Sequence, residues 1–153
     1  MRKLFLTFFY TGLLPKAPGT FGTIAGAVAA LPILWYFPPT TLFLASILLT
    51  LIAIREINAE EAQSGIHDAS EIVIDEVAGV WLALSMSSGN WWQIIFTVIY
   101  FRIFDIWKPS VIGRIDREVK GGLGVMGDDL LAGVFAAICS AGTYQALQYL
   151  HIV

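Results

Sequence analysis

Five apolar runs dominate the chain, at 21–37, 41–54, 72–86, 91–104 and 130–150, each closed by short polar or turn-forming segments. Their length and apolarity predict membrane helices, although most fall short of the roughly 20 residues that cross ~30 Å of hydrocarbon. The second run can continue as a helix past Arg55 to about Ser64. The others need snorkelling ends or local thinning of the bilayer. Pro38-Pro39 and Ser87-Ser88-Gly89-Asn90 separate paired runs tightly enough to predict helical hairpins. Ahead of the first run, Met1-Arg2-Lys3 and residues 4–14 superficially resemble a signal peptide. The apolar part is short and Gly12-Leu13-Leu14-Pro15-Lys16 offers no small-residue cleavage site, so an interfacial or re-entrant segment retained in the mature protein is expected. No repeat of fixed period and no second domain is evident. The expected architecture is one all-α polytopic membrane domain over 1–153, a bundle of about five short spans.

Composition sharpens this picture. Hydrophobic residues make up 57% of the chain and charged ones 14%, with a mean hydropathy of +0.73, where soluble domains carry roughly a quarter charged residues. A soluble protein of 153 residues could not hide so much apolar surface. The net charge of -3, without a basic stripe, argues against nucleic acid. The single Cys139 lies in an apolar run, which leaves no disulfide framework and no thiolate zinc site. The basic residues set orientation. Arg2, Lys3 and Lys16 precede the first run, Arg55 follows the second, Arg102 and Lys108 sit at the end of the fourth, and Arg114, Arg117 and Lys120 complete the loop before the fifth. With five crossings all nine fall on one side, which the positive-inside rule makes cytoplasmic. Residues 150–153 are then expected outside.

The carboxylates converge on the same side. Asp75 and Glu76 interrupt the third run near its cytoplasmic start, Asp105 closes the fourth, and Asp128 and Asp129 open the fifth after the glycine-rich stretch 121–127. An ionised acid within a membrane helix costs roughly 2.5–3.5 kcal/mol on insertion scales, so such residues face an interior or a polar cavity. Simpler roles exist for some of them. Asp128 can cap the fifth helix, with Asp129 placed against its dipole, and Asp105 can pair with Arg102 three residues earlier. The pair Asp75-Glu76 has no packing use. Its members point ~100° apart on a helix, so one can bind a cation while the other orients water or a second ligand. Grouped acids repel unless protons or a cation sit among them. Oxygen-only ligands suit a hard ion such as Mg²⁺, which pairs carboxylates with phosphate oxygens. The only histidines, His67 and His151, lie in different loops, which disfavours a histidine zinc site and a serine triad.

Features suited to an anion lie on the same side. Lys16-Ala17-Pro18-Gly19-Thr20-Phe21-Gly22-Thr23 leads into the first helix, where glycines and free N–H groups can cradle a phosphate. Arg102 and Lys108 add positive charge, with snorkelling or headgroup contact as the plainer alternative. Lys108-Pro109 also ends the fourth helix, and Arg114, Asp116, Arg117, Glu118 and Lys120 read mainly as a solvated loop. Carboxylates for a divalent ion, cations for a phosphate and a membrane-level site point to phosphoryl chemistry on a lipid headgroup.

Four stretches resemble the bacterial phosphatidylglycerophosphatase A family, in family order: 15–23; His67-Asp68 with 72–79; 101–109; and 121–133. The resemblance implies a Mg²⁺-dependent phosphatase of the bacterial inner membrane that removes the terminal phosphate of phosphatidylglycerophosphate, an anionic phospholipid, at the cytoplasmic leaflet. On that resemblance, Asp75, Glu76, Asp105, Asp128 and Asp129 occupy the family's acidic positions and Arg102 and Lys108 its basic ones. Asp68 and Asp116 also match acidic positions. Lys16, Gly19, Thr20 and Thr23, with Arg102 and Lys108, form the expected phosphate-binding set. Val111 stands where a proline is expected and Gly127 where a larger residue is, and neither departure removes a proposed ligand. The expected reaction is metal-assisted phosphomonoester hydrolysis, by direct attack of water or through a phospho-aspartate. A phosphatidyltransferase lacks its Asp-x-x-Asp-Gly…Ala-Arg signature here, and a histidine-dependent lipid phosphatase lacks its histidine beside Pro-Ser-Gly. A small ion or proton transporter would use the same acids as transport ligands, but would place polar groups through the membrane depth, whereas these acids collect at one end. A purely structural membrane subunit gives no reason for Asp75-Glu76. The sequence carries no signal for oligomeric state.

Overall fold

Proline in the first turn of a helix forfeits no hydrogen bond, and two long helices begin that way, α2 over Pro18–Tyr36 and α3 over Pro39–Ser64. They follow a short α1, Arg2–Leu6, and a 3-10 turn at Thr11–Leu13. α3 runs through the polar residues beyond Arg55, as expected, and stops at Gly65, whose φ of 70° suits a residue without a Cβ. α4 covers Ile74–Ser85. α5 covers Trp91–Trp107 and starts where the Asn90 side chain accepts the Trp92 N–H at 2.9 Å. α6, Val111–Glu118, and α7, Gly122–Tyr149, complete the bundle. This computed structural model describes residues 1–152; Val153, the last of the residues expected outside, lies outside the described residues.

The all-helical expectation holds; the 87–90 breaker falls between helices, whereas of Pro38-Pro39 only Pro38 lies in the gap and Pro39 opens α3. Among the described residues three helices, α2, α3 and α7, are long and apolar enough to cross a membrane. α4 and α5 carry the third and fourth apolar runs but fall short of that length. With 12 residues, α4 rises only about 18 Å. Its apolarity has another origin: α4 packs against α2, α3, α5 and α7, and all but Glu76 and Trp81 of its residues are buried.

Two expectations change at the C-terminal half. The fifth helix starts at Gly122 rather than at 130, so the glycine-rich stretch is helical, and Gly121, not Asp128, precedes the first turn. Asp128 and Asp129 therefore lie inside α7 and cap nothing. The segment read as a solvated loop before it contains α6, which includes Arg114, Asp116, Arg117 and Glu118.

Backbone contact between α4 and α7 explains two glycines. A Cβ on Gly79 would lie 2.6 Å from the Asp129 carbonyl oxygen and 2.7 Å from the Phe101 ring, and one on Gly133 would collide with the Gly79 carbonyl. Small residues at a crossing let membrane helices approach this closely. Buried hydroxyl and indole groups add cross-links: Ser46 Oγ donates to the Ala78 carbonyl at 2.8 Å, Trp81 Nε1 to that of Gly26 at 2.7 Å, and Thr97 Oγ1 to Ser140 Oγ at 2.8 Å. Residues 1–14 brace the chain entering α4. The Val73 N–H donates to the Leu6 carbonyl at 3.0 Å, and Arg2 and Lys3 pair with Glu56 and Glu71.

Candidate active site

A helix N-terminus favours negative charge, and α4 puts Asp75 and Glu76 in its first turn. Asp129 reaches the same point from the second turn of α7. One ligand oxygen from each of Asp75, Glu76 and Asp129 lies within 4.8 Å of the others. Each of the two aspartates stands four residues, about one turn, before one of the crossing glycines. The backbone contact at Gly79 and Gly133 thus sets the separation of the acids.

Around this triad is a cavity of about 430 Å³, lined by the carboxylates Asp68, Asp75, Glu76, Asp105, Asp128 and Asp129 and the cations Arg102 and Lys108. Asp105 is in the last turn of α5, which runs three residues past the expected end of the fourth run. Arg102, one turn earlier, pairs with Asp105, lies 3.9 Å from Glu76 Oε1, and donates to Thr23 Oγ1 at 3.3 Å and Thr20 Oγ1 at 3.2 Å. It ties α5 to α2 and α4. Lys108 follows α5 in a left-handed conformation and points Nζ at Asp128 Oδ2, 2.6 Å away, and at Asp116. Burial alone would lower the Lys108 ammonium, but its two carboxylate partners raise it above the ordinary lysine range, so it stays charged at neutral pH.

The structure brings together most of the expected site. Asp68, Gly19, Asp75, Glu76, Arg102, Asp105, Lys108, Asp128 and Asp129 all line the cavity. Lys16 does not, and its side chain is solvent-exposed. Thr20 and Thr23 also stand off the cavity and hold Arg102 instead. The phosphate cradle expected across 19–23 narrows as well. The Thr20 and Phe21 N–H groups are turned back to the Ala17 carbonyl, which leaves Gly19 as the member of 19–23 at the cavity wall. A Cβ on Gly19 would strike the Glu76 carboxylate, so its bare Cα admits that side chain. Asp116 stands behind Lys108, away from the cavity. Ala17, from the stretch expected to cradle phosphate, and Ser70 also line it; nothing in the sequence marks Ser70.

The donor set suits a hard cation. It is all oxygen, carboxylates outnumber cationic side chains, and the buried Glu76 Oε2 and Asp128 Oδ1 have no hydrogen-bond partner. Lys108→Met should strip the buried Asp128 of its cation and lower thermal stability in detergent by about 1–3 kcal/mol, the usual penalty for a stranded buried acceptor. An unchanged melting temperature would show that Asp128 is satisfied without it.

Comparison with known proteins gives the family. The family model for phosphatidylglycerophosphatase A matches residues 4–144. Phosphatidylglycerophosphatase A of Escherichia coli K12 is 39% identical over 134 residues, covering 84% of this chain and 75% of the relative. The Haemophilus influenzae protein of the same name is 34% identical over 131 residues, covering 85% and 80%. A Bacteroides thetaiotaomicron protein named "Putative phosphatidylinositol-3-phosphatase" is 37% identical over 142 residues, 88% of each chain. No solved structure matches. A match that takes in the acid triad, the Arg102–Asp105 pair, Lys108 and nearly all of the bundle leaves one assignment: the chain belongs to the phosphatidylglycerophosphatase A family.

Proposed function

We propose that this chain is a phosphatidylglycerophosphatase, a phosphoric monoester hydrolase that releases the terminal phosphate of phosphatidylglycerophosphate to leave phosphatidylglycerol. The observation that carries the reading is the cavity itself, in which the acid triad Asp75, Glu76 and Asp129 meets the cations Arg102 and Lys108, in a chain of this family. Asp75, Glu76 and Asp129 would hold a divalent cation, Mg²⁺ by the hardness of the donors, with Asp105 and Asp128 beside them. Such an ion, when bound, offsets phosphate charge and favours deprotonation of an attacking water.

The chain's own groups do the rest. Arg102, held in place by Thr20 and Thr23, brings a fixed positive charge to phosphate oxygens. Lys108 brings a compact charge that can pass from Asp128 to an incoming phosphate. The Gly19 N–H adds a neutral donor at the same wall. A carboxylate not engaged with the cation serves as general base. In the proposed topology α4 and α5 complete five spans, so every lysine and arginine shares one side with the cavity. That side faces the cytoplasm of a bacterial inner membrane, where the headgroup enters from the leaflet.

The test is inorganic phosphate release by the purified protein in lipid-supplemented detergent, with Mg²⁺ or EDTA, and with Asp75→Asn alongside. Release that needs Mg²⁺ and vanishes in the variant is expected. A folded protein that releases no phosphate would sink the reading. Phosphatidylinositol 3-phosphate belongs in the same assay because of the name of the Bacteroides relative; faster release from it would reassign the headgroup while keeping the chemistry.

A further inference from the structure

One wall of the cavity is not helical. Between Gly65, which ends α3, and Ile74, which begins α4, residues 66–73 run as irregular chain and bring Asp68 and Ser70 to the rim. The far end of this segment is fastened to the N-terminal residues, by the Val73 N–H on the Leu6 carbonyl and by Glu71 on Lys3 at 3.3 Å. The near end is held by two side chains: Ser64 Oγ accepts the Ile66 N–H at 3.2 Å, and Glu61 secures the two residues beyond it. Glu61, in the last turn of α3, accepts from His67 Nδ1 at 2.6 Å and, with the same oxygen, from the Asp68 N–H at 3.3 Å. Its carboxylate is 17% exposed beneath an imidazole that is 46% exposed. Asp68 has a φ of 50°, a conformation that residues other than glycine keep only when their surroundings impose it.

We propose that Glu61 is a positioning residue for this hydrolase: by clasping the His67 imidazole and the Asp68 N–H with one oxygen, it holds the left-handed turn that presents Asp68 to the cavity. Glu61 lies outside the cavity lining and acts only through that loop. Two properties follow. Loss of Glu61 does no further harm once the Asp68 carboxylate is gone. A side chain that still accepts from the Asp68 N–H replaces it. The inference rests on the proposed hydrolase reading and adds to it a part for the loop.

The experiment is a double-mutant cycle on phosphate release, with kcat, KM and the half-saturating Mg²⁺ concentration read for Glu61→Ala, Asp68→Ala and the pair. Outer-shell partners of this kind usually change affinity or activity by about 10–100-fold. Each single variant should weaken substrate or Mg²⁺ saturation by about tenfold, and the double variant should match Asp68→Ala alone. Glu61→Gln, whose amide oxygen still accepts, should stay within about threefold of the parent, well inside the outer-shell range. Cleavage after Glu71 by a glutamyl endopeptidase gives a readout independent of turnover, and should quicken in Glu61→Ala but not in Glu61→Gln. Additive losses in the cycle, or an unaltered Glu61→Ala, would overturn the proposal. If Glu61→Ala does not accumulate, His67→Ala takes its place in the cycle with the same expected non-additivity. Asp75→Asn separates the two levels: full activity there defeats the hydrolase site, whereas an inactive Asp75→Asn with an additive Glu61 cycle defeats only the clasp.

Discussion

Asp129→Asn should reduce phosphate release by about 10²–10³-fold or more, the scale on which removal of one electrostatic contact in a catalytic site is felt, while making the cation-free protein harder to melt. The two effects share a cause. Asp129 is 3% exposed and shares its small space with Asp75 and Glu76. Like charges so confined oppose one another when no cation lies between them. Neutralising one should relieve on the order of 1 kcal/mol, the value of about one pKa unit. The native protein should instead gain stability with added Mg²⁺, by about 2.7 kcal/mol when the ion is at 100 times its Kd. Thermal unfolding with and without Mg²⁺, run beside the phosphate assay, checks both halves. Should the variant lose activity yet keep the full Mg²⁺-dependent shift, Asp129 would act on substrate and the ion would be held elsewhere.

Gly79→Val should cost more than any acid substitution, because it acts on the frame that brings the acids together. A single Cβ there already meets the Asp129 carbonyl at 2.6 Å and the Phe101 ring at 2.7 Å, and valine adds two further methyls. Overpacking a well-filled core costs about 1–3 kcal/mol where side chains can yield. Here one obstacle is backbone, so the larger loss expected is above ~3 kcal/mol, in the range kept for disrupted cores. The protein should accumulate poorly, and any folded fraction should have lost its Mg²⁺-dependent thermal shift, since α7 can accommodate valine only by carrying Asp129 away from Asp75 and Glu76. Gly133→Val approaches the same crossing from the other helix and should behave alike. By contrast, Gly142→Ala, where an added Cβ meets nothing, should be nearly silent. Equal behaviour of the three would mean that the crossing does not set the site.

Much of this was legible in the chain because membrane-embedded acids have few innocent uses. Asp75-Glu76 stood out against their apolar neighbours, and the Pro38-Pro39 and 87–90 breakers located the hairpins. The Arg102–Asp105 spacing pointed to the ion pair that is found. What misled were residues whose local meaning is reversed by packing. Glycines at 121–127 ordinarily signal a loop, yet Gly122 and Gly124 are where α7 presses on the Ile54 and Val119 carbonyls, so the stretch is helix and Asp128 is no cap. The charges of 111–118 suggested solvent, and only the contact with Lys108 shows why Asp116 belongs near the site. Lys16 looked like a phosphate ligand by its place beside the helix, but its side chain is exposed and the chain first meets the cavity one residue later, at Ala17, with a φ of 50°. Hydropathy also treats α4 as though lipid surrounded it, when protein does.

The crossing of α4 with α7 has a consequence for biogenesis. More than fifty residues of chain separate Asp75 from Asp129, so a nascent polypeptide exposes α4, with two carboxylates in its first turn, well before the helix that completes their cavity has left the ribosome. Until α7 arrives, the glycine face of α4 and its acid pair lack the partner that encloses them. A chain released early, at residue 121, would present the helices able to insert without the triad, and so would occupy membrane without competence to bind the ion or turn over lipid. Activity is thus conferred late and all at once, by α7.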